Sequence, residues 1–274
     1  MQTQTGFSGA NAPLSDGDLR AIQKFMFEAA GITLDNSKRV LISGRLSKRL
    51  RLHGLPGFSH YLKLIARDAH ERQIALDLLT TNETYFFREP QHFDFLRQVV
   101  LPNRDRSRPF RVWSAACSSG EEVYSIAMLL SDELGSGRFE IIGTDISTRV
   151  LDVCRRGRYP LERTQNIPLP YLKGYCLKGV GPEDGFLLVD KSVRQQVQFM
   201  HANLNGQLPG VGRFDVIFLR NVMIYFDPDT KRRLIERLVD HLYPQAWLFI
   251  GHSETLNGIN SQLRQVKPAI YRAP

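Results

Sequence analysis

The segment SAACSSGEE, residues 114–122, sets a run of small side chains in front of two adjacent carboxylates, Glu121 and Glu122. Small residues let a backbone approach a ligand closely. A helix opening at Gly120 would add free N–H groups at its first turn. The spacing is not the dinucleotide pattern G-x-G-x-x-G, and two acids repel phosphates. The arrangement suits a cationic ligand instead, and S-adenosylmethionine carries both a sulfonium and an ammonium. The same residues also read as a plain tight turn.

Asp145 ends the apolar run FEIIGTD. An acid at such a strand end can accept both hydroxyls of a ribose. Its alternative role is N-cap of the helix beginning at TRVLDV. Asn203-Leu204 and Arg220-Asn221 follow further apolar runs, at strand ends where adenine and methionine contacts are expected. Asn203 reads equally as a cap for the turn at Asn205-Gly206. Arg220-Asn221 interrupts FDVIFLRNVMIYF where burial should be greatest, and unpaired buried polar groups are costly, so a ligand or a polar network is implied.

The elements that must position these residues follow from periodicity. From about residue 108, strand candidates alternate with helical patterns: PFRVWSAACSSG, EEVYSIAMLLSDEL, FEIIGTDIS, TRVLDVCRRGRY, VQFMHANL, FDVIFLRNVMIYF, TKRRLIERLVDHLY and AWLFIGHSE. That alternation predicts a doubly wound α/β sheet. Residues 159–198 break it with paired apolar runs around the turn signal GVGPEDG, which predicts a small antiparallel insertion. Residues 15–90 carry helical patterns only, beginning with the capping candidate Ser15-Asp16-Gly17-Asp18. The expected organisation is a polar leader over 1–14, a helical domain over 15–90, and an α/β domain over 91–274 that holds the 159–198 insertion.

Composition narrows the classes. The chain has 274 residues, 42% hydrophobic and 23% charged, an ordinary globular balance. No segment approaches the ~18 consecutive apolar residues of a membrane span. The first residues lack the basic start and apolar middle of a signal peptide. Cys117, Cys154 and Cys176 are odd in number and widely spaced, so neither a disulfide framework nor a metal site is expected, and a reducing cytoplasm fits. The formal charge of +8 favours an acidic partner.

The ordered set TTNETYFFREPQHFDFL, RVWSAACSSGEEVYSIAM, IIGTDIS, ANL, FDVIFLRNVMIYFD and LFIGHSE resembles the chemotaxis receptor methyltransferases, the CheR family. The likeness runs from about residue 15 to the end. It implies a helical domain joined to a class I methyltransferase domain with an antiparallel subdomain, S-adenosylmethionine as cofactor, and glutamates on the helical cytoplasmic domain of methyl-accepting chemoreceptors as substrate. It assigns cofactor contacts to Asn82, Thr84 and Arg88 of the N-x-T-x-F-F-R motif, and to Glu122, Asp145, Asn203, Leu204, Arg220 and Asn221. Cys117 stands where such sequences often carry another small residue.

A glutamate carboxylate is ionised at neutral pH and already nucleophilic, so no strong general base is needed. The scattered His92, His201, His241 and His252 agree, with His252 in GHSE the least ordinary. Arg88 and Tyr225 are the candidates for modest polar contacts at the transfer centre, although Tyr225 beside Phe226 also reads as a core aromatic. Lys38, Arg45, Lys48, Arg49 and Arg51 give a basic helix over a stripe of Leu41, Ile42, Leu46 and Leu50. With an acidic substrate this face is expected to dock the receptor; otherwise it is a solvated face. A receptor's C-terminal tail, added as a strand to the insertion, and a regulatory protein are further candidate partners.

Two other readings compete. A nucleic-acid methyltransferase would fit the charge, but the Pro-Pro of the base-amine motif is absent after Asn221, as is a basic-aromatic stripe. An inactive adaptor on the same fold would not need the full set of cofactor positions.

Overall fold

The computed structural model describes residues 13–259 and 262–274. The chain divides into two compact units, residues 1–80 and 81–274. Of the leader expected over 1–14, all but Pro13 and Leu14 lies outside the described residues.

The first unit contains α1 (Asp16–Ala30), α2 (Arg39–Leu52), α3 (Phe58–Arg67) and α4 (Ala69–Leu79). A capping box opens α1: Ser15 Oγ accepts from Asp18 N at 3.1 Å, and Asp18 Oδ2 accepts from Ser15 N at 3.3 Å. Gly31 ends it with φ 71°, a left-handed turn that glycine adopts without a Cβ clash. Each helix buries one stripe: Leu19, Ile22 and Met26; Ile42, Leu46 and Leu50; Phe58, Tyr61 and Ile65; Ala75, Leu76 and Leu79. Burial of each large side chain favours folding by roughly 1.5–3 kcal/mol.

Two acids of α4, Glu71 and Asp77, are buried in this unit. Glu71 on α4 is 2% exposed. It accepts from Arg49 Nε at 2.8 Å and from Tyr61 Oη at 2.7 Å, and lies 3.1 Å from His53 Nε2. Burial pushes its carboxyl upward, but the bonds from Arg49, Tyr61 and His53 outweigh it and carry the pKa down to about 2.

The second unit opens with α5 (Pro90–Phe95), which continues into a π-helical turn over Leu96–Val100. Then come β1 (Phe110–Ala115), α6 (Glu121–Leu134), β2 (Phe139–Asp145) and α7 (Thr148–Arg156). The insertion holds β3 (Arg158–Pro160), α8 (Leu169–Tyr175), β4 (Cys176–Lys178), β5 (Phe186–Val189) and α9 (Lys191–Arg194). β6 (Val197–His201), β7 (Phe214–Leu219), α10 (Pro228–Val239), β8 (Leu242–Ile250), β9 (Arg264–Lys267) and β10 (Ile270–Arg272) complete it.

The main sheet has the order β6-β2-β1-β7-β8-β10-β9. β1 is central and parallel to both neighbours, with Val112 opposite Ile141 and Val216. Strands buried on both faces are largely apolar, and β1, β2 and β7 are apolar and buried at Val112–Trp113, Ile141–Ile142 and Val216–Leu219. Chain direction reverses in strand order at β1, which places the adjoining strand ends at a switch point where open α/β sheets bind ligands. The insertion forms a separate antiparallel sheet, β3-β5-β4.

Three expectations change. Residues 81–90 belong to the second unit, not the first. Ser118 Oγ donates to Asn82 O at 3.0 Å, and Phe87 N donates to Ser125 Oγ at 2.9 Å, tying this segment to the loop after β1 and to α6. FDVIFLRNVMIYF is not one strand: β7 stops at Leu219, and a 3₁₀ turn over Met223–Tyr225 follows. The β9–β10 hairpin was not expected, because β9 is short, polar and exposed and so gives no alternation to read.

Candidate active site

The loop after β1 is held in a strained course. Ala116, Ser118 and Gly120 take φ of 72°, 51° and 95°. At Gly120 a Cβ would lie 2.9 Å from Tyr159 Oη and 3.0 Å from Cys154 Sγ, so only glycine lets the loop pass there. Tyr159 Oη donates to Ser119 O at 2.7 Å and fastens the loop from the insertion side.

Asp145 fixes the same loop from β2. Its Oδ2 accepts from Ser118 N at 2.8 Å and its Oδ1 from Ser147 N at 2.9 Å. The residue in the N-cap position of α7 is Ser147, not Asp145. Asp145 is therefore a carboxylate clamped between two strand-end loops.

The two adjacent acids behave differently. Glu121 is fully buried, accepts from Ser119 Oγ at 2.7 Å and lies 2.5 Å from Arg163 Nη2. Burial raises its pKa against the pull of Ser119 and Arg163. It serves the loop's own packing. Glu122 turns the other way: its Oε1 accepts from Ser114 Oγ at 2.6 Å and its Oε2 from Arg220 Nη1 at 2.9 Å.

Arg220 is the centre of the polar network implied by the interrupted apolar run. Its side chain is 1% exposed and lies between Glu122 and Glu89, with Nη2 3.1 Å from Glu89 Oε2. It also donates to the Arg88 carbonyl. Glu89 Oε1 accepts from Asn221 Nδ2 at 3.4 Å and from His252 N at 3.2 Å. Asn221 takes φ 57°, and its N–H donates to Glu254 Oε2 at 2.9 Å; Gly251 N donates to the same oxygen at 2.7 Å. Burial raises the Glu254 pKa despite these backbone bonds. Two carboxylates, Glu89 and Glu122, thus face one guanidinium, and the cluster keeps a net negative charge.

The remaining expected residues are distributed as follows. Asn82 is tied to the loop through its carbonyl. The Thr84 carbonyl accepts from Arg163 Nη2 at 3.3 Å. The Arg88 guanidinium donates to Glu83 O at 3.1 Å and stands 5.5 Å from the Tyr85 ring centroid. Asn203 Oδ1 accepts from Asn205 N at 2.9 Å, the turn-capping alternative, and Leu204 is buried with its carbonyl accepting from Arg237 Nη2 at 2.7 Å. Tyr225 is half-buried on the 3₁₀ turn.

Sequence reasoning missed Glu89 and Glu254. Glu89 sits beside Arg88 in FFREP, and a lone acid outside a periodic element gives no signal of its own. On the basic helix, two of the five expected docking residues have partners within the protein. Arg49 is spent on Glu71, and Arg45 Nη1 donates to the carbonyls of Leu78 and Thr80 at 2.9 and 3.0 Å. Those two arginines face inward because their long side chains satisfy a buried acid and the last carbonyls of α4. Lys38, Lys48 and Arg51 are exposed.

Comparison with known proteins accounts for nearly all of the chain. Residues 82–271 match the family described as "CheR methyltransferase, SAM binding domain", and residues 17–80 match "CheR methyltransferase, all-alpha domain". The chain is 42% identical over 257 residues to "Chemotaxis protein methyltransferase 2" of Pseudomonas aeruginosa, covering 93% of this chain and 92% of that protein. It is 41% identical over 263 residues to the "Chemotaxis protein methyltransferase" of Escherichia coli, covering 94% and 91%. The protein of the same description from Borreliella burgdorferi is 36% identical over 285 residues, covering 99% of each. Among the described residues, no helix is long and apolar enough to cross a membrane.

Proposed function

The chain belongs to the CheR methyltransferase family, and on that premise we propose that it methylates glutamate side chains of chemoreceptors, giving γ-methyl esters, with S-adenosylmethionine as donor and in the cytoplasm. The observation that carries this reading is the Glu122–Arg220–Glu89 cluster at the ends of β1 and β7, beside the Asp145-clamped loop. Its donor set fits the cofactor. A surplus of carboxylate over guanidinium suits the methionine ammonium, and a strand-end acid suits a ribose. In this reading Asn82, Thr84, Arg88, Glu122, Asp145, Asn203, Leu204, Arg220 and Asn221 hold the cofactor, which supplies an activated methyl group on a sulfonium.

The chain's own contribution is placement and exclusion of water. The acceptor carboxylate arrives ionised, because its reference pKa is about 4.3. Neutralising a cation against an anion loses charge on the way to the transition state, so water favours the reactants. Aligning the acceptor and removing water should supply most of the rate. A bidentate clamp would blunt the nucleophile, so single contacts from Arg88 and Tyr225 suit the acceptor better.

For the receptor we assign the exposed Lys38, Lys48 and Arg51 to docking on its acidic helical region, and the β4 edge, where Leu177 is 52% exposed, to a receptor tail added as a strand. The experiment is transfer of labelled methyl to a receptor cytoplasmic domain, followed by mild alkali. Release of labelled methanol is expected. Label that withstands alkali would reject the ester, and label on RNA or DNA would favour the nucleic-acid reading.

A further inference from the structure

His92, on α5, is 1% exposed, and neither of its ring nitrogens has a hydrogen-bond partner. An unsatisfied buried polar group costs roughly 1–3 kcal/mol, so a histidine kept this way needs a reason. His92 Nδ1 lies 3.5 Å from Glu89 Oε2, and His252 Nε2 lies 3.9 Å from the same oxygen. One ligand atom from each of the three residues falls within 4.8 Å of the others. Ligand atoms about 2.0–2.2 Å from a tetrahedral zinc ion are separated by roughly 3.5 Å, so two of these three residues already stand near the needed spacing from Glu89. The imidazole of His252 is 45% exposed, which gives an ion a way in. The ring centroids of His92 and His252 are 5.3 Å apart at 82°, so the two rings do not stack over one another.

Charge and donor type select the ion. Two imidazoles and one carboxylate suit the zinc class of divalent transition ions; magnesium and calcium require oxygen donors. Arg220, 3.1 Å from Glu89 Oε2, opposes a cation, but Glu122 on its other side neutralises it. An ion at this place would take the Glu89 oxygen that Arg220 now holds.

We propose that Glu89, His92 and His252 form a binding site for a divalent transition ion of the zinc class, and that the ion releases Arg220 from Glu89 and so weakens cofactor binding. The second half rests on the reading of the adjacent pocket given above; the metal site itself does not.

The test is calorimetric titration of tag-free, chelator-treated full-length protein with Zn²⁺, with Mg²⁺ as control, for the natural sequence and for His252→Ala and His60→Ala. S-adenosylhomocysteine is then titrated with and without zinc. Expected are one zinc ion per chain, no magnesium binding, affinity at least about tenfold weaker in His252→Ala and unchanged in His60→Ala. Cobalt substituted for zinc should give the intense visible bands of a tetrahedral site, lost in His252→Ala. Equal zinc affinity in the natural protein and His252→Ala, or no zinc binding at all, overturns the site. Zinc bound through His252 with unaltered S-adenosylhomocysteine affinity overturns the release of Arg220. S-adenosylhomocysteine that fails to bind even zinc-free protein overturns the pocket reading instead.

Discussion

Glu89 and Arg220, 131 positions apart in the chain, are held with Glu89 Oε2 3.1 Å from Arg220 Nη2, and the pair orders the end of β7 around it. Glu89 sits at φ 58° immediately before α5; Arg220 immediately follows β7. The contact joins the segment carrying the N-x-T-x-F-F-R motif to the strand end that sequence reading singled out.

Glu89→Gln keeps the shape and removes the charge. Arg220 retains Glu122, so the fold should survive with a loss of about 1–3 kcal/mol, the cost of weakening a buried charged bond. S-adenosylhomocysteine affinity should fall about tenfold, or ~1.4 kcal/mol. Chemical denaturation and calorimetry on the same preparation check both numbers, and unchanged affinity would detach Glu89 from the cofactor site.

Arg220→Met should be worse than Glu89→Gln. It leaves Glu89 and Glu122 facing each other without a cation, and removing one partner of a buried ion pair costs about 3–5 kcal/mol. Adding Glu89→Gln to it should restore part of that stability, since one of the stranded charges disappears. A double-mutant cycle with no such recovery would mean that the two residues are not energetically coupled.

Asp145→Ala removes the acceptor for Ser118 N and Ser147 N together with the assigned ribose contact. Cofactor affinity should drop by two orders of magnitude or about 3 kcal/mol. Asp145→Asn tests the pocket with less damage, because one oxygen remains for a backbone donor. Near-normal affinity in both variants would reject the ribose assignment.

Acid should loosen the helical unit through Glu71. Its folded pKa is about 2, well below the usual carboxylate value. A depressed folded pKa means that the unfolded chain binds the extra proton first. The stabilisation is therefore complete above about pH 4.5 and lost as pH falls from there towards 2, on the order of 3 kcal/mol at ~1.4 kcal/mol per unit. Glu71→Gln should flatten this acid limb when stability is measured between pH 5 and pH 2.5 (roughly the window set by the two pKa values). An unaltered limb would place the acid sensitivity elsewhere.

The docking assignment separates binding from methylation. Lys48→Glu with Arg51→Glu should leave S-adenosylhomocysteine affinity intact and lower receptor methylation, more at low salt than at high salt. Arg49→Glu is unsuitable for this purpose, since it would face the buried Glu71 and cost stability. Full methylation by the double variant would show those two side chains to be solvated only.

Periodicity and turn chemistry made much of the fold legible in the linear chain. The N-cap at Ser15, the period of α1, the apolar runs of β1 and β2 and the turn between β4 and β5 are local features, set by residues close to one another in sequence. The residues at the strand ends were legible for the same reason, because each terminates an apolar run. What the chain could not reveal was the direction in which each polar side chain is spent. Glu121 and Glu122 are neighbours, yet one is buried against Arg163 and the other is bonded to Arg220. Arg49 belongs to a buried acid 22 positions away and not to an open face. Glu89 acquires its meaning only when the folded sheet brings β7 and the turn after β8 to it. Successive residues on a helix point about 100° apart, and partners distant in sequence meet only after the sheet closes, so pairing among buried charges was decided by the tertiary structure alone.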